Sequence, residues 1–233
     1  MDAVTLHYAR LVFAVAAPIY DVHRDLSRAL GKRDVAGCLY RTDVDRTGAI
    51  PRRVALVQSR EPGDWAALGG RLVESRTTER TWRFAGEQRY RFFLRANATH
   101  AVKATDRVLG ALRGDAFRAV RGKRVEVRGY DALIGWLRRQ GTTHGFALHE
   151  TPFAHRPDDD TASLIPVPAV RISTERDVDW RADGRSGHHV GTDFEGVLTV
   201  RDPSTFAAAV RDGIGPAKAF GFGLLSLAAA NAP

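Results

Sequence analysis

Apolar residues alternate with polar ones from Val4 and then run together to Ala16, which predicts a strand across residues 4–16. The period then changes. Ile19, Val22, Leu26, Ala29 and Leu30 recur with the spacing of an amphipathic helix over residues 19–30, and Gly31 supplies its stop. Leu39-Tyr40 and Val54 to Val57 predict strands on either side of the turn-rich stretch Asp43 to Pro51. A short helix around Trp65 to Leu68 and a strand from Leu72 to Thr77 complete the order β-α-β-β-α-β. The same order then repeats. Tyr90 to Ala104 alternates as a long strand, Asp131 to Gln140 is helical through Leu133, Ile134 and Leu137, and Phe146 to Leu148 is strand-like. Ala169 to Thr174 and Glu195 to Val200 add strands around a hairpin at Asp183 to Gly187. Pro203 to Asp212 is a helix entered from Asp202, and Phe222 to Ala228 is the last strand. Two split-βαβ units of the α+β class, residues 1–88 and 89–233 joined near 86–90, account for this order. The sheet of such a unit is a recurrent RNA platform, although fold alone assigns no function.

A length of 233 residues suits one large domain or two small ones of about 100 residues each. Leu11 to Ala17 follows Arg10 and superficially resembles a secretory segment, with Ala14-Val15-Ala16 mimicking a cleavage site. The run is short and Cys38 is the only cysteine, so a buried first strand in a cytoplasmic protein is the expected reading. No stretch is long enough to span a membrane. The net charge of +8 is unevenly spread. Residues 89–128 hold 11 Lys/Arg against 3 Asp/Glu, whereas residues 1–88 hold 14 against 11 and residues 129–233 hold 10 against 13. The belt comprises Arg89, Arg91, Arg95, Lys103, Arg107, Arg113, Arg118, Arg121, Lys123, Arg124 and Arg128. It is the expected footprint of a polyanion, with a solvated face or linker as the alternative.

One loop stands out chemically. Gly213, Gly215, Gly221 and Gly223 fall within eleven residues that also hold Lys218, just before the apolar run Leu224 to Ala228. A glycine-dense segment of this kind takes positive φ angles and lets a phosphodiester approach the backbone. A tight turn feeding a buried strand remains the alternative. Lys218 is followed by Ala219 and Phe220 rather than Ser or Thr, and the loop leads to a strand and not a helix. Neither nucleotide-phosphate loop fits, so no nucleotide cofactor is expected.

Ribonuclease chemistry without a metal needs proton transfer at the 2′-hydroxyl and at the leaving 5′-oxygen, and a cation for the transition-state charge. Histidine suits the proton transfers. His23 sits at the edge of the apolar face of the first helix, and Tyr20, one turn earlier, lies on the adjoining polar flank with Ser27, so Tyr20 and His23 can act on one phosphate. A core-bordering histidine with a satisfied hydrogen bond is the alternative. His188-His189 with Asp193 and Glu195 do not make a metal site, because adjacent strand residues point to opposite faces; no metal and no other cofactor are expected.

Gly213 to Gly223 resembles, glycine for glycine, the loop of CRISPR-associated repeat-RNA endoribonucleases, and its extension through Leu224-Leu225-Ser226-Leu227-Ala228 resembles the CasE branch, the processing subunit of the type I-E Cascade complex. Phe93 to Asn97, Asp183 to Gly187, Phe194 to Val200 and Tyr20-Asp21-Val22-His23 are similar to further blocks of that branch. The resemblance implies two tandem ferredoxin-like domains and metal-independent cleavage of the repeat hairpin in a precursor RNA. The products it implies are a 5′-hydroxyl and a 2′,3′-cyclic or 3′-phosphate, with the enzyme retained beside the other Cascade subunits. By position, His23 would be the general acid/base, Tyr20 its partner at the 2′-hydroxyl, and Arg185 the cation near the scissile phosphate. The basic belt would hold the hairpin backbone, Lys218 would be the glycine loop's charged contact, and the loop itself would shape and position RNA. A non-catalytic RNA-binding subunit of the same fold, or a basic protein adaptor, remains the competing expectation.

Overall fold

Strand β1 (Ala3–Phe13) is apolar on both faces, and that fact organises the molecule. In the computed structural model, which describes residues 3–34, 37–101, 124–155, 163–182 and 185–230, Ala9, Leu11 and Phe13 face helix α1 (Ile19–Asp34). They pack there with Val22, Leu26 and Leu30. Leu6, with Val4 and Tyr8 beside it, points the other way, into a second and larger core. Opposite faces for alternate residues follow from the two-residue period of a strand.

The first sheet is completed by β2 (Leu39–Asp45), β3 (Arg52–Ser59) and β4 (Leu72–Arg83), in the spatial order β2-β3-β1-β4 with every neighbour antiparallel. That is the order a split βαβ unit produces. Only a short 3₁₀ turn, Trp65–Arg71, stands between β3 and β4, where Gly69 takes a φ of 51° and interrupts helical geometry. Strand β2 runs on to Asp45, beyond the expected Leu39-Tyr40, because Val44 and Asp45 still pair with Arg53 and Arg52.

The second sheet repeats the plan. Its strands are β5 (Arg89–Ala96), β8 (Phe146–Leu148), β11 (Val170–Ala182), β12 (Arg185–Val200) and β13 (Leu225–Ala229), in the order β11-β12-β5-β13. Strand β8 shares the edge of β12 with β11, pairing Leu198 to Val200. Helices α2 (Tyr130–His144) and α3 (Pro203–Asp212) cover one face. They bury Leu133, Trp136, Leu137, Phe206 and Val210 against Phe92, Leu94 and Ala96. The result is two tandem ferredoxin-like units, the first sheet ending at Arg83 and the second beginning at Arg89.

Three expectations change. The long strand expected over Tyr90 to Ala104 stops at Ala96, where the buried Asn97 turns its amide to donate to the Val190 carbonyl at 2.7 Å; β6 (Thr99–Ala101) then pairs instead with β7 (Arg124–Glu126). The hairpin around Asp183 is far longer than its sequence signals, since β11 and β12 pair from Ala182 and Arg185 back to Val170 and Gly196. A further hairpin, β9 (Glu150–His155) with β10 (Ser163–Pro168), was unexpected. Its prolines disguise it: Pro152 lies opposite Pro166, tolerable only in an isolated two-stranded ribbon where one edge needs no donor.

The units are welded together. Trp82 and Phe84 at the end of the first sheet enter the larger core, with Phe84 edge-on to Phe206 at 4.9 Å and to Tyr90 at 5.7 Å. Gln58 donates to the Val210 carbonyl at 2.7 Å, and Arg41 donates to the Ser226 hydroxyl at 2.8 Å.

Candidate active site

Helix α1 is anchored by its buried stripe, Val22, Leu26 and Leu30, and by one buried charge. Asp25 is fully buried, with Arg71 Nε 2.9 Å from Oδ2, although not aligned as a hydrogen bond, and Arg28 3.5 Å from Oδ1. Burial pushes the Asp25 carboxyl above its ordinary range, and Arg71, Arg28 and Arg24 oppose that rise. Asp21 and Arg24 pair at 2.9 Å on the outer face.

His23 and Tyr20 lie one turn apart on this helix, both partly exposed. Burial alone pulls the His23 imidazole below its ordinary value. At neutral pH it is therefore largely unprotonated and able to accept a proton. Its ring stacks on Tyr40 of β2, with centroids 6.3 Å apart and planes 20° apart. Ser27, expected on the polar flank, spends its hydroxyl on the His23 carbonyl at 2.8 Å.

The glycine loop lies against this helix. Gly213, Gly215, Gly221 and Gly223 adopt φ angles of 76°, 83°, 85° and 89°. At the neck the Ile214 N–H donates to the Gly223 carbonyl at 3.0 Å, and the Gly223 N–H donates to the Arg95 carbonyl at 2.8 Å. A side chain is excluded there twice over. A Cβ on Gly213 would come within 2.7 Å of Leu39, and one on Gly223 within 2.8 Å of the Ile214 carbonyl. Lys218 opens a short 3₁₀ turn, Lys218–Phe220, and its charge adds to burial in pulling His144 down. Phe220 packs against His189 of β12, ring centroids 4.7 Å apart. Strand β11, the partner of β12, also contacts α1, the helix carrying His23; the side chain of Arg185, the first residue of β12, lies outside the described residues.

The basic belt divides. Arg89 and Arg91 are exposed on β5, Arg124 is exposed and donates to the Thr99 hydroxyl at 3.0 Å, and Arg128 is exposed and paired with Glu126 at 2.7 Å. Lys103, Arg107, Arg113, Arg118, Arg121 and Lys123 lie outside the described residues. Arg95 departs from its expected role as an RNA contact. The residue is 6% exposed, and its guanidinium grips Asp193 through two bonds of 2.7 and 2.9 Å and reaches the Thr42 carbonyl at 2.7 Å and Asp43 at 3.2 Å. A charge so committed joins β5, β12 and β2 and has no face left for a phosphate.

Sequence reasoning passed over Tyr40, whose only signal was an aromatic residue in a two-residue strand. Among the described residues no three His, Cys, Asp or Glu side chains gather to hold a metal, and no helix is long and apolar enough to cross a membrane.

Residues 7–229 match the family described as CRISPR associated protein. The CRISPR-associated endoribonuclease Cse3 of Thermus thermophilus is 30% identical over 217 residues, covering 90% of this chain and 89% of that protein. The CRISPR system Cascade subunit CasE of Escherichia coli is 49% identical over 62 residues, 27% of this chain and 31% of that one. Among solved structures, Thermus thermophilus Cse3 bound to an RNA representing a pre-cleavage complex matches with a TM-score of 0.70 at 27% identity, covering 96% of this chain and 99% of that chain. With the family match running from residue 7 to residue 229 and the Cse3 relationship spanning 90% of the chain, the protein belongs to the CRISPR-associated protein family, in its CasE branch of endoribonucleases.

Proposed function

We propose that this endoribonuclease cuts the repeat hairpin of a CRISPR precursor RNA without a metal ion and then stays on the product as a Cascade subunit in the cytoplasm. The observation that carries the reading is His23: a partly exposed imidazole, held below its ordinary pKa by burial, one helical turn from Tyr20 and backed by the glycine loop. In the cut, the 2′-oxygen bonds to phosphorus as the bond to the 5′-oxygen breaks. The 2′-hydroxyl proton passes to His23 Nδ1 or Nε2, with the Tyr20 hydroxyl orienting the nucleophile, and the departing 5′-oxygen takes its proton from water. A 5′-hydroxyl and a 2′,3′-cyclic phosphate result, and the cyclic phosphate can open to a 3′-phosphate. Arg185 supplies charge to the transition state from the hairpin beside α1. Arg89, Arg91, Arg124, Arg128 and Lys218, with Lys103, Arg113, Arg118, Arg121 and Lys123, contact the RNA backbone, and residues 1–88 and 89–233 act as a catalytic and an RNA-holding domain.

Support comes from the relatives: Cse3 is named as an endoribonuclease and is seen with a pre-cleavage RNA, and CasE is named as a Cascade subunit. The test is a gel of labelled repeat RNA with wild-type and His23→Ala protein, both in EDTA. Cleavage by the wild type alone is expected. Wild-type speed in His23→Ala would remove the histidine from the mechanism, and binding without any cut would favour a non-catalytic subunit.

A further inference from the structure

The functional reading leaves one buried ionisable group beside the site without a task. Tyr40 is 1% exposed, in the middle of the smaller core, yet its ring lies against the His23 imidazole and its hydroxyl donates to the Ala219 carbonyl at 2.5 Å. Those two contacts are of different kinds. One is a flat surface that limits how the imidazole can tilt; the other is a single directional bond to a residue 179 positions away. Ala219 sits in the turn bounded by Ala217 at φ 61° and Gly221 at φ 85°, and a Cβ on Gly221 would stand 3.4 Å from both Tyr40 and Ile19. The loop is thus folded around the phenol end of Tyr40, while the same ring backs the histidine.

We propose that Tyr40 is a positioning residue for His23, a strut through which the conformation of the glycine loop sets the orientation of the imidazole. The inference rests on the reading of His23 as the proton-transfer group. Tyr40 itself takes no part in proton transfer: burial pushes its pKa far above the ordinary phenol value, so the hydroxyl stays a fixed donor at any working pH. What it supplies is geometry and dryness. An imidazole free to tilt presents its nitrogen poorly to a 2′-hydroxyl, and a misplacement of about 1 Å can cost on the order of a hundredfold in rate. The ring also contributes to the burial that keeps His23 unprotonated.

The test uses full-length protein and two substitutions. Tyr40→Phe keeps the ring and deletes the bond to Ala219; Tyr40→Leu deletes the ring as well. Single-turnover cleavage of labelled repeat RNA is measured beside repeat affinity, and the His23 titration is followed by NMR on ¹³C-histidine protein, its signal assigned by its loss in His23→Ala. The substitutions leave in place Asp21, Arg24 and Asp25 on the helix, Arg71 and Lys218 on the packed turns, and the charged residues of β11, so a moved titration reports the lost ring. Tyr40→Phe is expected to cleave about tenfold more slowly with affinity within about twofold of wild type. Tyr40→Leu is expected to cleave more slowly still, with the His23 midpoint moved up toward its ordinary value. Wild-type rates in Tyr40→Phe, or a loss confined to affinity, would overturn the inference, and Tyr40→Phe decides the matter if Tyr40→Leu does not fold. An unmoved His23 titration in folded Tyr40→Leu would overturn it equally, whether or not His23→Ala cleaves. Cleavage by His23→Ala at wild-type rate would instead sink the functional reading, leaving the contact between the two rings to be judged by the titration.

Discussion

Removing Arg95 should destabilise the fold rather than remove a contact to RNA. Arg95→Ala deletes the guanidinium of a residue that is 6% exposed and takes two bonds away from Asp193, itself 5% exposed, and a third from the Thr42 carbonyl. Breaking a buried ion pair from one side costs about 3–5 kcal/mol, because the surviving charge keeps its desolvation penalty after losing its main counter-charge. For a chain of this length each kcal/mol moves Tm by roughly 2–4 °C, so a fall of about 6–20 °C is expected. Calorimetry or circular dichroism melting reads it directly. Replacing both partners, Arg95→Met with Asp193→Leu, should recover much of the loss, since two apolar side chains of similar size carry no desolvation cost. Urea unfolding of the wild type and both variants at a matched slope separates stability from changes in the denatured state. A fall in Tm under about 2 °C for Arg95→Ala, combined with a marked loss of repeat affinity, would refute the structural role and return Arg95 to the RNA-binding surface.

Arg71→Ala should destabilise by about 1–3 kcal/mol, less than for a fully enclosed pair because Arg71 is 42% exposed. The deficit should grow with pH: a carboxyl whose folded pKa is raised stabilises below its ordinary value and loses that contribution as pH climbs through the folded value, and Asp25 without Arg71 rises further. Urea titrations at pH 4 and pH 8 check this, and equal deficits would contradict it. Gly223→Ala places a Cβ 2.8 Å from the Ile214 carbonyl at a φ of 89°, and should cost about 2 kcal/mol or more in thermal melts. Gly70→Ala, with open space around it, should stay within about 0.5 kcal/mol of wild type, and similar melts for the two would show that the loop neck tolerates rearrangement.

Helix α1 was legible because Ile19, Val22, Leu26 and Leu30 repeat at helical spacing, and the expected stop at Gly31 is a kink with a φ of 76°, beyond which the helix continues to Asp34. The βαββαβ order of the first unit and the two helices of the second were legible for the same reason, since periodicity is local. Charge was the misleading guide. Counting arginines from 89 to 128 treats every guanidinium as solvated, and nothing within several residues of Arg95 announces Asp193, 98 positions on, or the Thr42 carbonyl, 53 positions back. The break after Ala96 was hidden likewise, since Asn97 turns inward for a carbonyl 93 residues away. Tyr40 reads as one more strand aromatic until Ala219 is folded onto it.

Strand β1 has a consequence for how the chain comes apart. Ala9, Leu11 and Phe13 belong to the smaller core and Leu6, with Val4 and Tyr8, to the larger, so pulling either half away strips one side of the same strand. The two sheets therefore melt in a single cooperative step, with β1 amides among the slowest to exchange with solvent. Cutting the exposed turn at Gly86 would not set the halves free, because the covalent link there is not what joins them.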